Sequence, residues 1–276
     1  MPRSMMFIFA GLLGASGFFL PNGGQAAESS WPDLRSELYG QQYIGASQKV
    51  VSIDAPYRTE NDARTKISVD VRAPEGQQLK RVSLILDENP MPVSAQFEFV
   101  EPVPAFSFAS TMRINGPTGV HAVAEMENGQ LFMAEGFVKT SGLGACSAPP
   151  GTDPEEALAT LGQMEMTLRR LVDVKTLQHS AEASGSDTEI DVDISHPSHS
   201  GMQMDQISLL YIPARYVDTL DIELNGAPYA KVTGSISLSE NPTISFAVPG
   251  TTRRAKARLQ DTDGTVSEVE RQFADY

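Results

Sequence analysis

Residues 120–138 read VHAVAEMENGQLFMAEGFV. Two apolar runs, Val120 to Met126 and Leu131 to Val138, flank Glu127-Asn128-Gly129-Gln130. Asn-Gly tolerates the positive backbone φ angles that a tight two-strand connection needs, so this stretch predicts a β-hairpin. Strand pairing through such turns, repeated along the chain, sets the fold class.

Toward the N-terminus the same two-residue period recurs. Ile67, Val69 and Val71 alternate with polar residues, as do Val82, Leu84 and Leu86, then Phe97 and Phe99, then Phe106 and Phe108. Each pattern fits a half-buried strand. Val50 to Ile53 is a further short run, and Trp31 to Tyr39 predicts a helix with Trp31, Leu34, Leu38 and Tyr39 on one side. Toward the C-terminus the pattern breaks at residues 139–151, KTSGLGACSAPPG. That composition predicts an arm with no packed element. A helix is then expected, with Thr152 or Asp153 as N-cap and Pro154 in the first turn. Its apolar stripe would run through Leu158, Leu161, Met164 or Glu165, Leu168, Leu171 and Val172, to an end near Gln178.

A second β region follows. Ile190, Val192 and Ile194 alternate, and residues 216–224 and 227–232 flank Asn225-Gly226, a second hairpin signal. Residues 236–238, 244–248, 255–259 and 266–273 read as further strands, the last two joined by a tight turn at Asp261-Thr262-Asp263-Gly264. Short strands at turn spacing indicate sandwiches. The expected architecture is all-β, with two immunoglobulin-like β-sandwich domains joined by a cysteine-bearing arm and one α-helix. The expected boundaries are 1–26 for a signal peptide, 27–139 and 187–276 for the sandwiches, 140–152 for a flexible arm, and 153–186 for the helix and linker.

The 276 residues carry a formal net charge of -14 and are 41% hydrophobic. Real cores can form, while nucleic acid, which needs a basic surface, is excluded as a partner. Arg3, the apolar run Met5 to Leu20, and Gly24-Gln25-Ala26 read as an export signal, cleaved after Ala26 or Ala27. The mature chain is therefore expected in the periplasm, with no stable membrane insertion. Cys146 is the only cysteine. An internal disulfide is impossible, and an unpaired cysteine in an exported protein is either an intermolecular partner or a reactive thiol. No His, Lys or Arg stands beside it, the nearest base in sequence being Lys139. A thiolate fraction of about a few per cent is then expected at neutral pH. Its neighbours Gly142, Gly144, Ala145 and Ser147 are small and would let a narrow cleft close around the sulfur.

The first β region resembles SoxY, the sulfur-carrier subunit of the bacterial thiosulfate-oxidising system. The matching residues are Glu88-Asn89-Pro90, Pro92, Ala95, Phe97, Phe99, Ala122-Val123-Ala124-Glu125-Met126, Gly129 and Phe132-Met133-Ala134. The second resembles SoxZ, its partner, through His196-Pro197, Gly201, Ile212-Pro213-Ala214, Asn225-Gly226, Asn241-Pro242, Ser245-Phe246 and Gly250. The ordered set resembles the fused SoxYZ-like carriers associated with quinoprotein dehydrogenases. The resemblance implies a non-enzymatic carrier without cofactor, with cargo attached covalently at Cys146. It also implies that the two halves pack together. Partners would be periplasmic redox or sulfur-transfer enzymes, among them a quinoprotein dehydrogenase or a c-type cytochrome. In SoxY the cargo cysteine lies in a Gly-Gly-Cys-Gly-Gly tail; here the matching segment is internal, tethered at both ends, and carries Leu143, Ala145, Ser147 and Ala148 among its glycines.

Two other readings compete with the carrier. One is an accessory docking module for a quinoprotein dehydrogenase, with an incidental cysteine. The other is a copper-binding protein, because residues 196–204, HPSHSGMQM, place His196, His199, Met202 and Met204 in one loop. Imidazole and thioether groups suit copper. His121 lies in a strand pattern and is read as structural or surface, although a Cys146–His121 nucleophile pair would make the chain a hydrolase or transferase.

Overall fold

The computed structural model describes residues 29–142, 144–170 and 188–273, so the proposed export signal and residues 171–186 of the expected helix and linker lie outside the described residues. The SoxY-like half contains α1 (Trp31–Tyr39), β1 (Ile44–Ala46), β2 (Val51–Asp54), β3 (Thr65–Arg72), β4 (Leu79–Leu86), β5 (Val93–Val103), β6 (Ala105–Met112), β7 (Thr118–Met126) and β8 (Leu131–Val138). After a single 3₁₀ turn, Ala145–Ser147, come α2 (Pro154–Ala159), β9 (Met164–Arg170), β10 (Thr188–Ile194), β11 (Val217–Leu224), β12 (Ala227–Thr233), β13 (Thr243–Val248), β14 (Arg254–Asp261) and β15 (Val266–Gln272). The all-β reading holds, and the predicted hairpins are present. β7 and β8 pair antiparallel across Gly129, whose φ is 82°. β11 and β12 close through Asn225 and Gly226 at φ 51° and 85°, the two positive angles of the mirror-image hairpin turn.

The halves are joined strand to strand. A nine-stranded sheet runs β1-β8-β7-β4-β5-β12-β11-β14-β15, and a six-stranded sheet runs β2-β3-β6-β13-β10-β9. The seam in the first is the β5–β12 pair, with Phe97 opposite Val232 and Phe99 opposite Ala230. The seam in the second is the β6–β13 pair, with Phe108 opposite Phe246. Inward residues of both sheets form one core that includes Ile67, Val82, Phe97, Phe106, Ile190, Leu220, Phe246 and Leu259. At the seam Phe97 lies 4.3 Å from Phe108 and Phe99 meets Phe106 edge-on at 4.7 Å, geometries that add to their burial. A smaller cluster sits on the outer face, where Trp31, Tyr39 and Ile44 cover Ile85, Val123 and Leu131.

Two elements differ from the sequence reading. The helix expected from residue 153 toward Gln178 stops after six residues at Ala159, and Met164–Arg170 is a strand. Asp153 caps α2 as expected, accepting from Glu155 N at 2.9 Å. Gly162 then takes φ 76°, a left-handed conformation that a helix cannot continue through, and a Cβ there would overlap Ser267 Oγ. Beyond it, β9 pairs antiparallel with β10 from Met164–Ile194 to Arg170–Thr188. Met164, Met166 and Leu168 pack against the core. The expected strand at 236–238 is a turn, in which Ser235 Oγ accepts from Ser237 N and Leu238 N donates to Ser235 O. Ile236 and Leu238 are nonetheless buried.

Candidate functional site

The described part of the arm is hydrogen-bonded to both halves at Ser141, Gly144, Cys146, Ala148, Gly151 and Thr152, where the sequence predicts no packed element. Gly144 adopts φ 86° and leads into the 3₁₀ turn that holds Cys146, whose exposure is 0%. Asn115, in the middle of the β6–β7 loop, grips the turn from the SoxY-like side. Its carbonyl accepts from Gly144 N at 2.7 Å, and its Oδ1 accepts from Cys146 N at 3.2 Å. Asn115 is itself positioned by buried Asn89, whose Oδ1 accepts from Asn115 N at 3.0 Å. Asn89 Nδ2 donates to Arg113 O and to Ser237 Oγ, at 2.8 and 2.9 Å.

The SoxZ-like half closes the other side. Ser200 Oγ donates to Cys146 O, and Gln203 Nε2 donates to Ala148 O at 3.0 Å. Gln203 Oε1 accepts from Ser200 N at 3.3 Å and lies 3.1 Å from His199 Nδ1. The flanks are tied as well. Asp62 accepts from the Ser141 amide and, at 2.7 Å, from its hydroxyl. The Glu240 carboxylate accepts from Gly151 N and Thr152 N, both at 2.8 Å. Small residues permit this close fit: a Cβ on Gly144 would stand 2.8 Å from Ser147 Oγ.

The electrostatics follow from burial. Desolvation pushes the Cys146 thiol up to about 11, opposed by the nearby positive charge of Arg113. At neutral pH the enclosed sulfur is therefore a thiol and a poor nucleophile. Arg113 is buried, and desolvation holds its guanidinium below the usual arginine range, opposed by Cys146 and Glu240. Its Nη1 donates to Ser198 O at 3.0 Å and to Ile236 O at 2.8 Å, so it too ties the halves together.

The His/Met loop is part of this enclosure. His196 Nδ1 accepts from Ser198 N at 3.0 Å, and its Nε2 faces Asp261 Oδ2 at 3.4 Å. Both ring nitrogens thus have protein partners, and burial lowers the ring to about 4, partly offset by Asp261. His199 is lowered by burial and held by Gln203. Met204 bridges Tyr211 at the base of a hairpin tip. Among the described residues no group of three or more His, Cys, Asp or Glu side chains is arranged to hold a metal ion. Asp261 takes the turn role expected of it, its Oδ1 accepting from Asp263 N and Thr265 N. His121 is engaged elsewhere, with Nδ1 2.9 Å from Asp87 Oδ1 and its ring stacked on Trp31 at 3.8 Å.

Sequence reasoning therefore found Cys146 and the 196–204 loop but assigned the loop a separate chemistry. It missed Asn89, Arg113, Asn115 and Glu240 as arm-holding residues. Asn89 lies within Glu88-Asn89-Pro90, part of the SoxY resemblance, whereas no local pattern marks the others.

The family model for sulfur oxidation protein SoxY matches residues 35–146 and ends on the cysteine; the model for sulphur oxidation protein SoxZ matches residues 175–272. Among solved structures, the sulfur carrier protein SoxY from Chlorobium limicola f thiosulfatophilum is similar at 24% identity and a TM-score of 0.35. That match covers 41% of this chain and 97% of that one. A superoxide reductase (neelaredoxin) from Ignicoccus hospitalis matches at 17% identity and a TM-score of 0.28, over 36% of this chain and 95% of its own. No curated protein matches. With both family models satisfied in order along one chain, and the two parts sharing both sheets, this protein belongs to the fused SoxYZ-like sulfur-oxidation proteins.

Proposed function

We propose that this chain is an exported, non-catalytic carrier that holds a sulfur atom or sulfur-linked group covalently on Cys146 and presents it to periplasmic enzymes. One observation carries the reading: the only cysteine in the sequence is the last residue matched by the SoxY family, and it lies where the SoxY and SoxZ parts meet. Attachment through an S–S bond to an anionic sulfur donor removes the thiol proton and two electrons. A redox partner such as a c-type cytochrome would accept the electrons, and a quinoprotein dehydrogenase is a further candidate partner. Enclosure protects the idle thiol, since oxidation proceeds through the exposed thiolate. Mass spectrometry of protein purified from its host tests the reading. The expected result is a sulfur-containing mass increment on the Cys146 peptide, with loss of sulfur-compound turnover in Cys146→Ser. Unmodified thiol in every preparation, together with an unaffected Cys146→Ser strain, rejects it.

A second reading, an accessory docking module with an incidental cysteine, is favoured by one surface feature. The tip after Gln203 exposes Ile207 at 93%, with Leu209, Leu210 and Tyr211 beside it in sequence and also exposed. Full partner activity in Cys146→Ala, with loss in Ile207→Ser, would select it over the carrier.

A further inference from the structure

A carrier has to present its thiol, yet here the thiol is enclosed. We propose that Asn115 of the SoxY part and residues 198–203 of the SoxZ part form a latch over Cys146, and that local release of this latch, with the sandwich intact, exposes the thiol. The proposal rests on the carrier reading for its purpose, while its contacts hold whatever the cargo is.

The bonds that hold the arm differ in kind from those that hold the sandwich. Apart from the carbonyl of Asn115, the contacts that close over the turn are side chains of neighbouring loops reaching its backbone: Asn115 Oδ1 to Cys146 N, Ser200 to Cys146 O, and Gln203 to Ala148 O. None belongs to a strand ladder. Of the described residues 141–152, Cys146 alone is buried. Opening the segment therefore gives up a few hydrogen bonds and one small side chain. Unfolding a sheet gives up whole ladders and the shared core. Segments with few buried apolar contacts open at lower free energy than the global fold.

The arm also has the slack to move. A 3₁₀ turn rises only about 2.0 Å per residue, against about 3.3 to 3.6 Å for extended chain. Straightening the turn would lengthen the segment without drawing on β8 or α2. The latch joins the two domains as well, so a change in how they meet would reach Cys146 directly. Arg113 bridges the same junction through Ser198 O and Ile236 O.

Thiol labelling with N-ethylmaleimide on the full chain tests the latch. In the native protein, labelling is expected to be far slower than for an exposed cysteine and flat across low urea concentrations. The Ser200→Ala, Gln203→Ala double variant is expected to label roughly ten-fold faster, because two hydrogen bonds of the closed form are gone. Ile207→Ser, at the exposed tip of the same loop, is expected to label at the native rate. A native labelling rate that rises with urea as steeply as global unfolding would overturn the proposal, and this measurement needs no variant. A double variant that folds but labels at the native rate would also overturn it. Failure of the carrier reading is separate, since absence of an adduct on Cys146 leaves these rates unchanged.

Discussion

Burial and pairing oppose each other at His196, and burial is the larger effect. The ring is fully enclosed, accepts from Ser198 N, and titrates at about 4 despite facing Asp261. The unfolded chain would take up a proton near the ordinary histidine value of 6.5, while the folded protein refuses it until about 4. The unfolded state thus binds more protons across that window, and stability rises with pH through it. The contribution is fully present above 6.5 and is lost as pH falls toward 4; at about 1.4 kcal/mol per pH unit it amounts to roughly 3 kcal/mol. Asp261 acts in the same direction at lower pH. Burial raises its carboxyl, but the bonds from Arg215 and Thr265 outweigh this and leave it below its ordinary value, so its contribution is lost on further acidification. Thermal melting between pH 7 and pH 4 should show the midpoint falling, with a shallower fall in His196→Gln. A variant as pH-sensitive as the native protein would remove His196 as the source.

At the scale of elements, local turns were legible and competing periodicities were not. Asn128-Gly129 and Asn225-Gly226 each specify a hairpin within four residues, and both are found. The stretch after α2 carries two periods at once. Leu158, Leu161 and Leu168 satisfy a helix, while Met164, Met166 and Leu168 satisfy a strand. Pairing with β10 and the left-handed Gly162 decide for the strand. The arm was legible as a loop but not as an enclosed one, because its fasteners lie 31 and 54 residues away at Asn115 and Ser200. Gly162→Ala should therefore destabilise the protein by about 1–2 kcal/mol from backbone strain alone, with the Ser267 overlap adding to this. Urea denaturation measures it. Gly250→Ala is the control, since a Cβ there meets nothing within 4 Å and should change stability little. Equal effects at both positions would show that Gly162 does not set the break between helix and strand.

For the whole molecule, shared sheets predict shared stability. Two sandwiches connected only by an arm and a helix could unfold separately, as the sequence boundaries at 139 and 187 suggest. Here β5 pairs with β12 and β6 with β13, so separating the halves would expose four strand edges in the middle of two sheets. It would also uncover the aromatic side chains that meet across the junction, where Phe99 packs edge-on against Tyr229 at 5.8 Å and Phe108 pairs with Phe246 in a core shared by both parts. The halves are therefore expected to unfold together. Calorimetry should give a single transition whose van't Hoff and calorimetric enthalpies agree. Phe97→Ala removes a fully buried ring of β5 at this junction and should cost about 3–5 kcal/mol. That loss should lower the midpoint of the one transition without splitting it, because Phe97 lies on the seam strand β5, opposite Val232 of β12, in the core both parts share. Two resolved transitions in the native protein, or a second transition left at the native midpoint in Phe97→Ala, would show that the halves hold their own cores. The latch over Cys146 would then close between two independently stable bodies, not against one continuous sandwich.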